Sequence, residues 1–276
     1  MESLSWQIEH KVNLNSKLKL ESMTSIETTR LIETLALHAW PAQTNEPLDG
    51  WLMRHHSVPS RRVNSVWPNA WGGEIPLALK LERVEAYYAR LGQPAIYQVS
   101  PANLPASLDD VLAARGYTVD APTAVQTVNI DTAIQRISEP AAELFISETL
   151  TDRWLRGCVL AEGPLSAQKL AQRRKALARV QPRSAYVLAQ VDGEPAAVGR
   201  GVLEAGWLGI FGMATRPAYR RMGLATSLLG ALAQWGRDQG AGELYLQVME
   251  NNPGARALYG RLGFATLYHY HYRQQT

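Results

Sequence analysis

The residues best suited to chemistry lie in one short segment, a basic turn between an apolar strand and an apolar helix. The segment reads Gly212-Met-Ala-Thr-Arg-Pro-Ala-Tyr-Arg-Arg-Met-Gly-Leu-Ala225. Small residues at Gly223 and Ala225 would let the backbone approach a ligand closely. The first N–H groups of a helix have no intrahelical partners, and the helix dipole adds partial positive charge there. With Arg220 and Arg221 beside it, this turn predicts an anion site, for which phosphate is the usual ligand.

The same pattern has a plainer interpretation, because an ordinary strand–helix junction can also carry a short basic turn. Two other classes of phosphate site are excluded. The segment lacks the Gly-Lys-Ser/Thr end of a Walker loop, and it lacks the GxGxxG spacing of a dinucleotide fold. The choice between an anion site and a plain junction therefore depends on the rest of the chain.

Two motifs in this region resemble those of the GNAT acetyltransferase superfamily. The cofactor loop of that superfamily reads Arg/Gln-x-x-Gly-x-Gly/Ala, and here it is Arg220-Arg-Met-Gly223-Leu-Ala225. A later block of the superfamily, Asn-x-x-Ala-x-x-Leu-Tyr-x-x-x-Gly-Phe, appears as Asn252-Pro-Gly-Ala255-Arg-Ala-Leu258-Tyr259-Gly-Arg-Leu-Gly263-Phe264. The two motifs stand in the expected order, and the clear match covers about residues 185–270.

The resemblance implies an enzyme that moves an acetyl group from acetyl-CoA to a primary amine by direct attack. Tyr259 would be the general acid that returns a proton to the departing thiolate, although a ring packed on the core is its plainer role. Asn252 would bind the CoA arm or cap the following helix, and these roles are compatible. Backbone amides of the basic turn would hold the pyrophosphate, and the preceding strand would bond the pantetheine arm. The implied cofactor-binding residues are Met213, Thr215, Arg220, Arg221, Met222, Gly223, Leu224, Ala225, Asn252 and Tyr259.

The base that deprotonates the amine has several candidates. Glu250 ends the strand before the second motif, Glu204 lies at the preceding hairpin, and an ordered water is a third possibility. Many relatives carry a glutamate where this chain has Gln247, which cannot take a proton. Glu250 is retained as a catalytic candidate, with a solvated loop carboxylate as its alternative. Tyrosine and histidine alternate over 268–271, so one of these pairs should face inward.

The elements that must position these residues follow an α/β order in the first half. Hydrophobic periodicity predicts a helix beginning at Ser25, with a cap at Thr24 or at Ser25 itself. The other predicted elements are helices over 75–91 and 105–115 and strands over 50–54, 62–67, 95–100 and 124–130.

The second half repeats this order after a region predicted to be helical over about 140–180, with breaks at Gly157 and at Gly163-Pro164. A hairpin through Asp192-Gly193 follows. The remaining predicted elements are strands over 207–215, 243–249 and 264–273 and helices over 223–238 and 253–262.

Similarity between the halves suggests a duplication. The sequence can be aligned so that Ile96-Tyr-Gln-Val99 matches Tyr245-Leu-Gln-Val248. Each of these predicted strands is followed by a predicted helix that ends at a glycine and an aromatic residue. The first half resembles a degenerate GNAT unit, because Leu112 stands in the place of Tyr259 and Trp71-Gly-Gly-Glu74 offers no cofactor loop. We predict an α/β fold of two GNAT-like units, each with a central mixed β-sheet flanked by helices. The predicted segments are an extension (1–24), a degenerate unit (25–135) and a catalytic unit (136–276).

Composition argues against several other classes. The net charge is +3 with scattered basic residues, so no nucleic-acid surface is expected. No stretch approaches the roughly 20 apolar residues that span a bilayer, and the first residues lack the apolar run of a signal peptide. A cytoplasmic protein without membrane partners is therefore expected. The single Cys158 permits no intrachain disulfide, and no Cys/His spacing predicts a metal site.

The expected partner is an acceptor amine on a small molecule or a peptide, whose identity the sequence does not specify. A duplicated chain could work as a monomer, in effect a pseudo-dimer, or as a homodimer. A non-catalytic protein that senses acyl-CoA is the alternative function, and Tyr259 argues against it.

Overall fold

The computed structural model describes residues 24–137, 140–164 and 166–275, and it contains both helices and strands in each half of the chain. The first half contains α1 (Ser25–Ala39), β1 (Thr44–Leu48), β2 (Trp51–His55), a short turn of 3-10 helix (Arg61–Val63), β3 (Val66–Trp67), α2 (Leu77–Arg90), β4 (Ile96–Val99), α3 (Leu108–Ala114) and β5 (Thr118–Asn129). The second half contains α4 (Ile130–Gln135), β6 (Glu143–Ser147), α5 (Asp152–Glu162), α6 (Ala167–Leu177), β7 (Arg183–Val191), β8 (Glu194–Glu204), β9 (Trp207–Thr215), a second 3-10 turn (Pro217–Tyr219), α7 (Leu224–Asp238), β10 (Glu243–Met249), α8 (Pro253–Arg261) and β11 (Ala265–Gln274).

Local sequence signals set several of these boundaries. The Thr24 side chain accepts a hydrogen bond from the Glu27 backbone, and the Glu27 carboxylate accepts one from the Thr24 backbone, which confirms the predicted cap of α1. Asp192 and Gly193 join β7 to β8, and both have the positive φ that a tight hairpin turn requires. Strands β9 and β10 begin and end at the predicted residues.

The prediction for residues 140–180 is wrong in two places. Residues 143–147 form strand β6, which pairs antiparallel with β7 at the edge of the sheet. Gly157 does not break a helix but lies inside α5, where an added Cβ would come within 2.8 Å of Val198 Cγ1. A missing side chain here permits close packing of helix on sheet. The break at Gly163-Pro164 is confirmed, since α5 ends at Glu162.

Replacing Gly157 by alanine is expected to destabilise the fold by about 1–3 kcal/mol, because the added methyl would overpack the contact with Val198 and Leu188. Alanine otherwise stabilises a helix interior by about 1 kcal/mol relative to glycine. Gly260 in α8 is the matched control, because an added Cβ there meets no atom within 4 Å. We expect Gly260→Ala to raise stability by about 0.5–1 kcal/mol. Urea unfolding measures both variants, and a stabilising Gly157→Ala would contradict the packing argument.

The strands of the described residues form one mixed sheet in the order β1-β2-β3-β4-β11-β5-β10-β9-β8-β7-β6. Strand β5, the last of the first half, pairs antiparallel with β10 and β11 of the second half. Strand β11, the last of the second half, pairs antiparallel with β4 of the first. The final strand of each half therefore pairs with strands of the other half.

The sheet order is symmetric about the β11–β5 pair. The parallel pair β3–β4 corresponds to the parallel pair β9–β10, and antiparallel strands flank both. This symmetry supports the proposed duplication. The predicted division at residue 135 stays a prediction, and residues 1–23 of the predicted extension lie outside the described part of the chain.

Strands β9 and β10 separate partway along their length. Their parallel pairing stops at Ile210 and Leu246, although the strands continue to Thr215 and Met249. Gly212, at a φ of 59°, bends β9 at this point, where its register against β8 also shifts. A slot therefore opens between the two strands.

The sheet buries a different cluster of side chains on each face. On one face α7 packs through fully buried leucines such as Leu228 and Leu232. On the other face α1 packs on tyrosines of β10 and β11, among them Tyr245 and Tyr268. Because side chains alternate along a strand, residues of β9 and β10 beside the slot belong to both faces.

Candidate active site

A cleft of about 760 Å³ lies beside the slot, between the end of β9 and the starts of α7 and α8. Its volume is within the range of small-molecule sites. The predicted residues that line it are Met213, Thr215, Arg220, Arg221, Gly223, Leu224, Ala225, Asn252 and Tyr259. Met222 is the exception, because its side chain is exposed and is not part of the lining. The structure thus brings together all but one of the residues predicted to bind the cofactor.

Hydrogen bonds to β8 hold the beginning of the turn between β9 and α7, and two residues further along this turn have positive φ angles. The Arg216 backbone N–H donates to the Ala196 carbonyl, and Arg216 Nη1 donates to the Pro195 carbonyl at 2.8 Å. Arg221 and Gly223 have φ values of 67° and 77°. Gly223 is the N-cap of α7 in this left-handed conformation, which glycine adopts without the Cβ penalty.

The first turn of α7 has no side-chain cap. Gly223 offers no hydrogen bond of this kind, whereas Thr151 and Ser166 cap α5 and α6 with their hydroxyl groups. The first turn of α7 also contains no acidic residue, and Arg220 and Arg221 are exposed beside it. The helix dipole, the uncapped N–H groups and the two guanidinium groups together favour an anion in the cleft.

Strand β9 offers an open backbone edge to the same cleft. Beyond Ile210 it has no pairing with β10, while its other edge stays paired with β8 as far as Thr215. An extended ligand could therefore bond to residues 211–215 as an additional strand would. Met213 and Thr215 lie within this open segment and line the cleft.

Tyr259 of α8 lines the cleft and is only 8% exposed. Its ring lies 5.7 Å from the ring of Phe264, measured between centroids, so it also packs on the core. Burial raises the pKa of Tyr259 above its ordinary value, which keeps the phenol protonated at neutral pH. Asn252 fixes the start of this helix, because its Oδ1 accepts a hydrogen bond from the Ala255 N–H at 3.1 Å.

On the opposite face of the sheet, a small cavity of about 10 Å³ is lined by Glu33, Ala36, Leu37, Arg54, Arg62, Trp67, Gln98 and Gln247. Glu33 is 1% exposed and accepts hydrogen bonds from Tyr268 Oη at 2.7 Å and from Gln98 Nε2 at 2.6 Å. Sequence analysis missed Glu33. The available signal was its position in α1, next to Ile32 and three residues before Ala36 on the buried face. A carboxyl group in such an apolar stripe is uncommon.

The carboxylates considered earlier as bases line neither cavity. Glu250 lies at the end of β10, where it pairs with His269 Nε2 at 3.4 Å. Glu204 pairs with His38 Nδ1 at 2.9 Å and lies opposite Trp207, at the far end of β9 from the cleft. This position leaves Glu204 out of the site, and the catalytic role of Glu250 stays a prediction.

Of the alternating residues in β11, the tyrosines face inward. Tyr268 and Tyr270 are buried, and their hydroxyl groups donate to Glu33 and Gln247. His271 instead pairs with Asp109 on the other side of the strand.

In the first half, a side-chain carboxylate lies just before the corresponding helix, α2. The Asp49 carboxylate accepts hydrogen bonds from the backbone N–H groups of Glu74 and Ile75, just before α2, at 3.3 and 3.2 Å. Lys80 Nζ lies 3.1 Å from Asp49 Oδ2. Leu112, which stands in the place of Tyr259, is fully buried. The first turn of α2 itself has no side-chain cap, but a carboxylate paired with Lys80 lies next to it.

Cys158 is buried, and burial raises the pKa of its thiol, which disfavours a nucleophilic thiolate. Within residues 24–137, 140–164 and 166–275, no three His, Cys, Asp or Glu side chains are grouped so as to hold a metal. The helices in those ranges are all too short or too polar to cross a bilayer.

A mixed sheet that splays beside an uncapped basic helix start defines an acyltransferase of the GNAT class. Residues 27–274 match the family model described as "Probable histone acetyltransferase Rv0428c C-terminal". The chain belongs to this family of GNAT N-acetyltransferases. The match spans both halves of the molecule.

Individual relatives agree with this assignment. The "Uncharacterized N-acetyltransferase YobR" of Bacillus subtilis (strain 168) is 27% identical over 249 residues, which are 90% of this chain and 99% of YobR. A GCN5-related N-acetyltransferase from Kribbella flavida has 16% identity and a TM-score of 0.65, covering 88% of this chain and 94% of that one. A tandem GNAT protein from the clavulanic acid biosynthesis pathway has 14% identity and a TM-score of 0.63, covering 92% and 96%. At these identities the two solved structures show the fold.

Proposed function

We propose that the protein transfers an acetyl group from acetyl-CoA to a primary amine of a small molecule or peptide. The observation that carries this proposal is the uncapped start of α7, which faces the same cleft as Tyr259. A thioester on a diphosphate-containing carrier needs an anion site at one end and a proton donor at the other. The cleft offers both.

In this proposal the donor lies along β9 and turns at the start of α7. Backbone N–H groups from Arg221 to Ala225 hold the pyrophosphate, and Arg220 adds charge at the rim. Met222 takes part only through its backbone, since its side chain is exposed. Met213 and Thr215 receive the pantetheine arm on the open edge of the strand.

The donor supplies an activated acyl group, and residues of the chain donate a proton and stabilise the charge that develops. Tyr259 donates a proton to the departing thiolate. Backbone N–H groups of β9 beyond Ile210 stabilise the carbonyl oxygen as negative charge develops on it. The slot between β9 and β10 admits the amine from the face that carries α1.

We further propose that residues 25–135 form a unit that binds no donor and shapes the acceptor side. Asp49 supports this, because its carboxylate occupies the N–H groups of Glu74 and Ile75 in the loop before α2, where a diphosphate would have to bind. Calorimetric titration is therefore expected to give one acetyl-CoA per chain. A stoichiometry of two would contradict this part of the proposal. The strand exchange also supports the single chain as the working unit.

The main test is release of free thiol from acetyl-CoA over a panel of amines, alongside direct binding of acetyl-CoA. Small polyamines, amino acids and lysine-containing peptides cover the acceptor classes. We expect saturable binding of acetyl-CoA and turnover with at least one class of amine. Binding without turnover on any amine would favour a non-catalytic sensor.

A further inference from the structure

A buried carboxyl group lies on the face of the sheet that carries α1, opposite the cleft. Glu33 of α1 shares its small cavity with Gln247 of β10. Gln247 is the first residue beyond Leu246, where the pairing of β10 with β9 stops, so this cavity adjoins the opening of the slot. Tyr245 packs on the α1 face, and Gln247 lies two residues further along the strand, on that same face.

The hydrogen bonds of Glu33 come from neutral donors. Tyr268 Oη donates to one carboxyl oxygen at 2.7 Å and Gln98 Nε2 to the other at 2.6 Å. Tyr270, the next inward residue of β11, donates to Gln247 Oε1 at 3.3 Å. Each carboxylate oxygen has a second lone pair, so Glu33 can still accept a proton while these bonds persist.

The groups that face Glu33 from the surrounding elements are Arg54 of β2, Arg62 of the 3-10 turn, Trp67 of β3, Gln98 of β4, Tyr245 and Gln247 of β10, and Tyr268 and Tyr270 of β11. Burial raises the pKa of Glu33 to about 7, and this outweighs the opposing effects of the Tyr268 hydrogen bond and the two arginines. Arg54 is engaged by the backbone carbonyls of Trp40 and Arg62. A carboxyl group that titrates near neutrality is suited to proton transfer at the pH of the cell.

We propose that Glu33 is the general base of the reaction and takes a proton from the acceptor amine through one water molecule in the cavity. This inference rests on the proposed acetyl transfer. A cavity of about 10 Å³ is about the room that one water needs, and Glu33, Gln98 and Gln247 give that water polar partners. The base thus comes from the first half of the chain, while Tyr259 comes from the second.

One proton of the ammonium group passes through the water to Glu33, and the freed lone pair forms a bond to the thioester carbon. The C–S bond breaks, and the thiolate takes a proton from Tyr259. The new amide nitrogen loses its second proton, which restores the Tyr259 hydroxyl through solvent, and Glu33 releases its proton to bulk water. The products are an amide, a thiol and one proton.

The test is the pH dependence of kcat/KM for the amine at saturating acetyl-CoA. The wild-type profile should rise along a limb with an apparent pKa near 7. In Glu33→Gln this limb should disappear, and the rate above pH 7.5 should fall at least tenfold. The amide keeps the size of the side chain and can still bond to Tyr268 and Gln98, so the dissociation constant of acetyl-CoA should stay within twofold.

Two further variants test whether Glu33 or another group is the base. Tyr268→Phe removes a hydrogen bond that stabilises the ionised carboxyl, so the limb should move to higher pH. Glu250→Gln tests the carboxylate suggested by the sequence. A limb that survives in Glu33→Gln, or is lost in Glu250→Gln instead, would overturn this inference and leave acetyl transfer intact. A wild-type protein that acetylates no amine would overturn both proposals.

Stability offers a readout independent of activity. The folded-state pKa of Glu33, about 7, lies above its ordinary value of 4.5, so the unfolded chain releases this proton first. The stability that the protonated group contributes is complete below about pH 4.5 and is lost as the pH rises to about 7. The side chain introduced by Glu33→Gln cannot titrate. The unfolding midpoint of this variant, relative to that of the wild type, should therefore increase between pH 5 and pH 8. A constant difference over this range would overturn the assignment.

Discussion

Tyr259→Phe is expected to lower kcat at least tenfold while leaving the affinity for acetyl-CoA within twofold. The phenol is protonated at neutral pH, as a tyrosine ordinarily is, and burial raises its pKa further; it lines the cleft where the thiolate would leave. General acid catalysis typically contributes about 10²–10⁴ in rate, so its loss is readily measured. Phenylalanine keeps the ring contact with Phe264, so the fold should be preserved. Steady-state thiol release and calorimetric binding measure the two quantities.

Tyr97→Phe is the matched control for this experiment. Tyr97 is fully buried in the first half, and its hydroxyl has no hydrogen-bond partner among the described residues. Loss of that hydroxyl should change neither kcat nor the affinity for acetyl-CoA. If Tyr259→Phe and Tyr97→Phe were equally active, Tyr259 would be a packing residue and the proton would come from elsewhere.

Ala225→Asp is expected to raise the dissociation constant of acetyl-CoA at least a hundredfold while leaving the thermal stability unchanged or slightly higher. A carboxylate in the first turn of α7 would interact favourably with the helix dipole and the uncapped N–H groups. The same charge would repel a diphosphate and compete for its donors. The expected loss corresponds to about 2.7 kcal/mol of binding free energy. Calorimetry and thermal unfolding measure the two effects.

Ala225→Ser is the control, because it adds a polar group of similar size without a charge. Its affinity for acetyl-CoA should stay within a few-fold of wild type. Equal binding by Ala225→Asp and Ala225→Ser would place the diphosphate away from α7 and would remove the main support for the proposed function.

The features that sequence predicted well are those whose determinants lie close together in the chain. Thr24 and Glu27 form their capping box over three residues, and Asp192-Gly193 dictates a turn by itself. The basic turn before Gly223 is likewise local, and its residues do surround one cleft. The prediction missed strand β6 because Leu144, Phe145 and Ile146 form a short apolar run that suits either a helix or a strand. Pairing with β7 determines that this run is a strand.

Features that depend on distant partners escaped prediction for a physical reason. Glu33 takes its two hydrogen bonds from Gln98 and Tyr268, which lie 65 and 235 positions away. The residues near Glu33 in the sequence do not indicate those contacts. The exchange of β5 and β11 is also set by distant partners, because β11 pairs with β4 and β5 of the first half. Local patterns specify strands, but not which of two equivalent edges a strand will join.

The exchanged strands also constrain how this protein can be made. Strand β4 acquires its neighbour β11 only after residues 265–274 have left the ribosome, so the first half cannot complete its sheet during synthesis of the second. Contacts that join residues so far apart in sequence slow folding. A chain cut before residue 265 would expose unpaired backbone along both β4 and β5, which is the kind of edge that recruits other chains into aggregates.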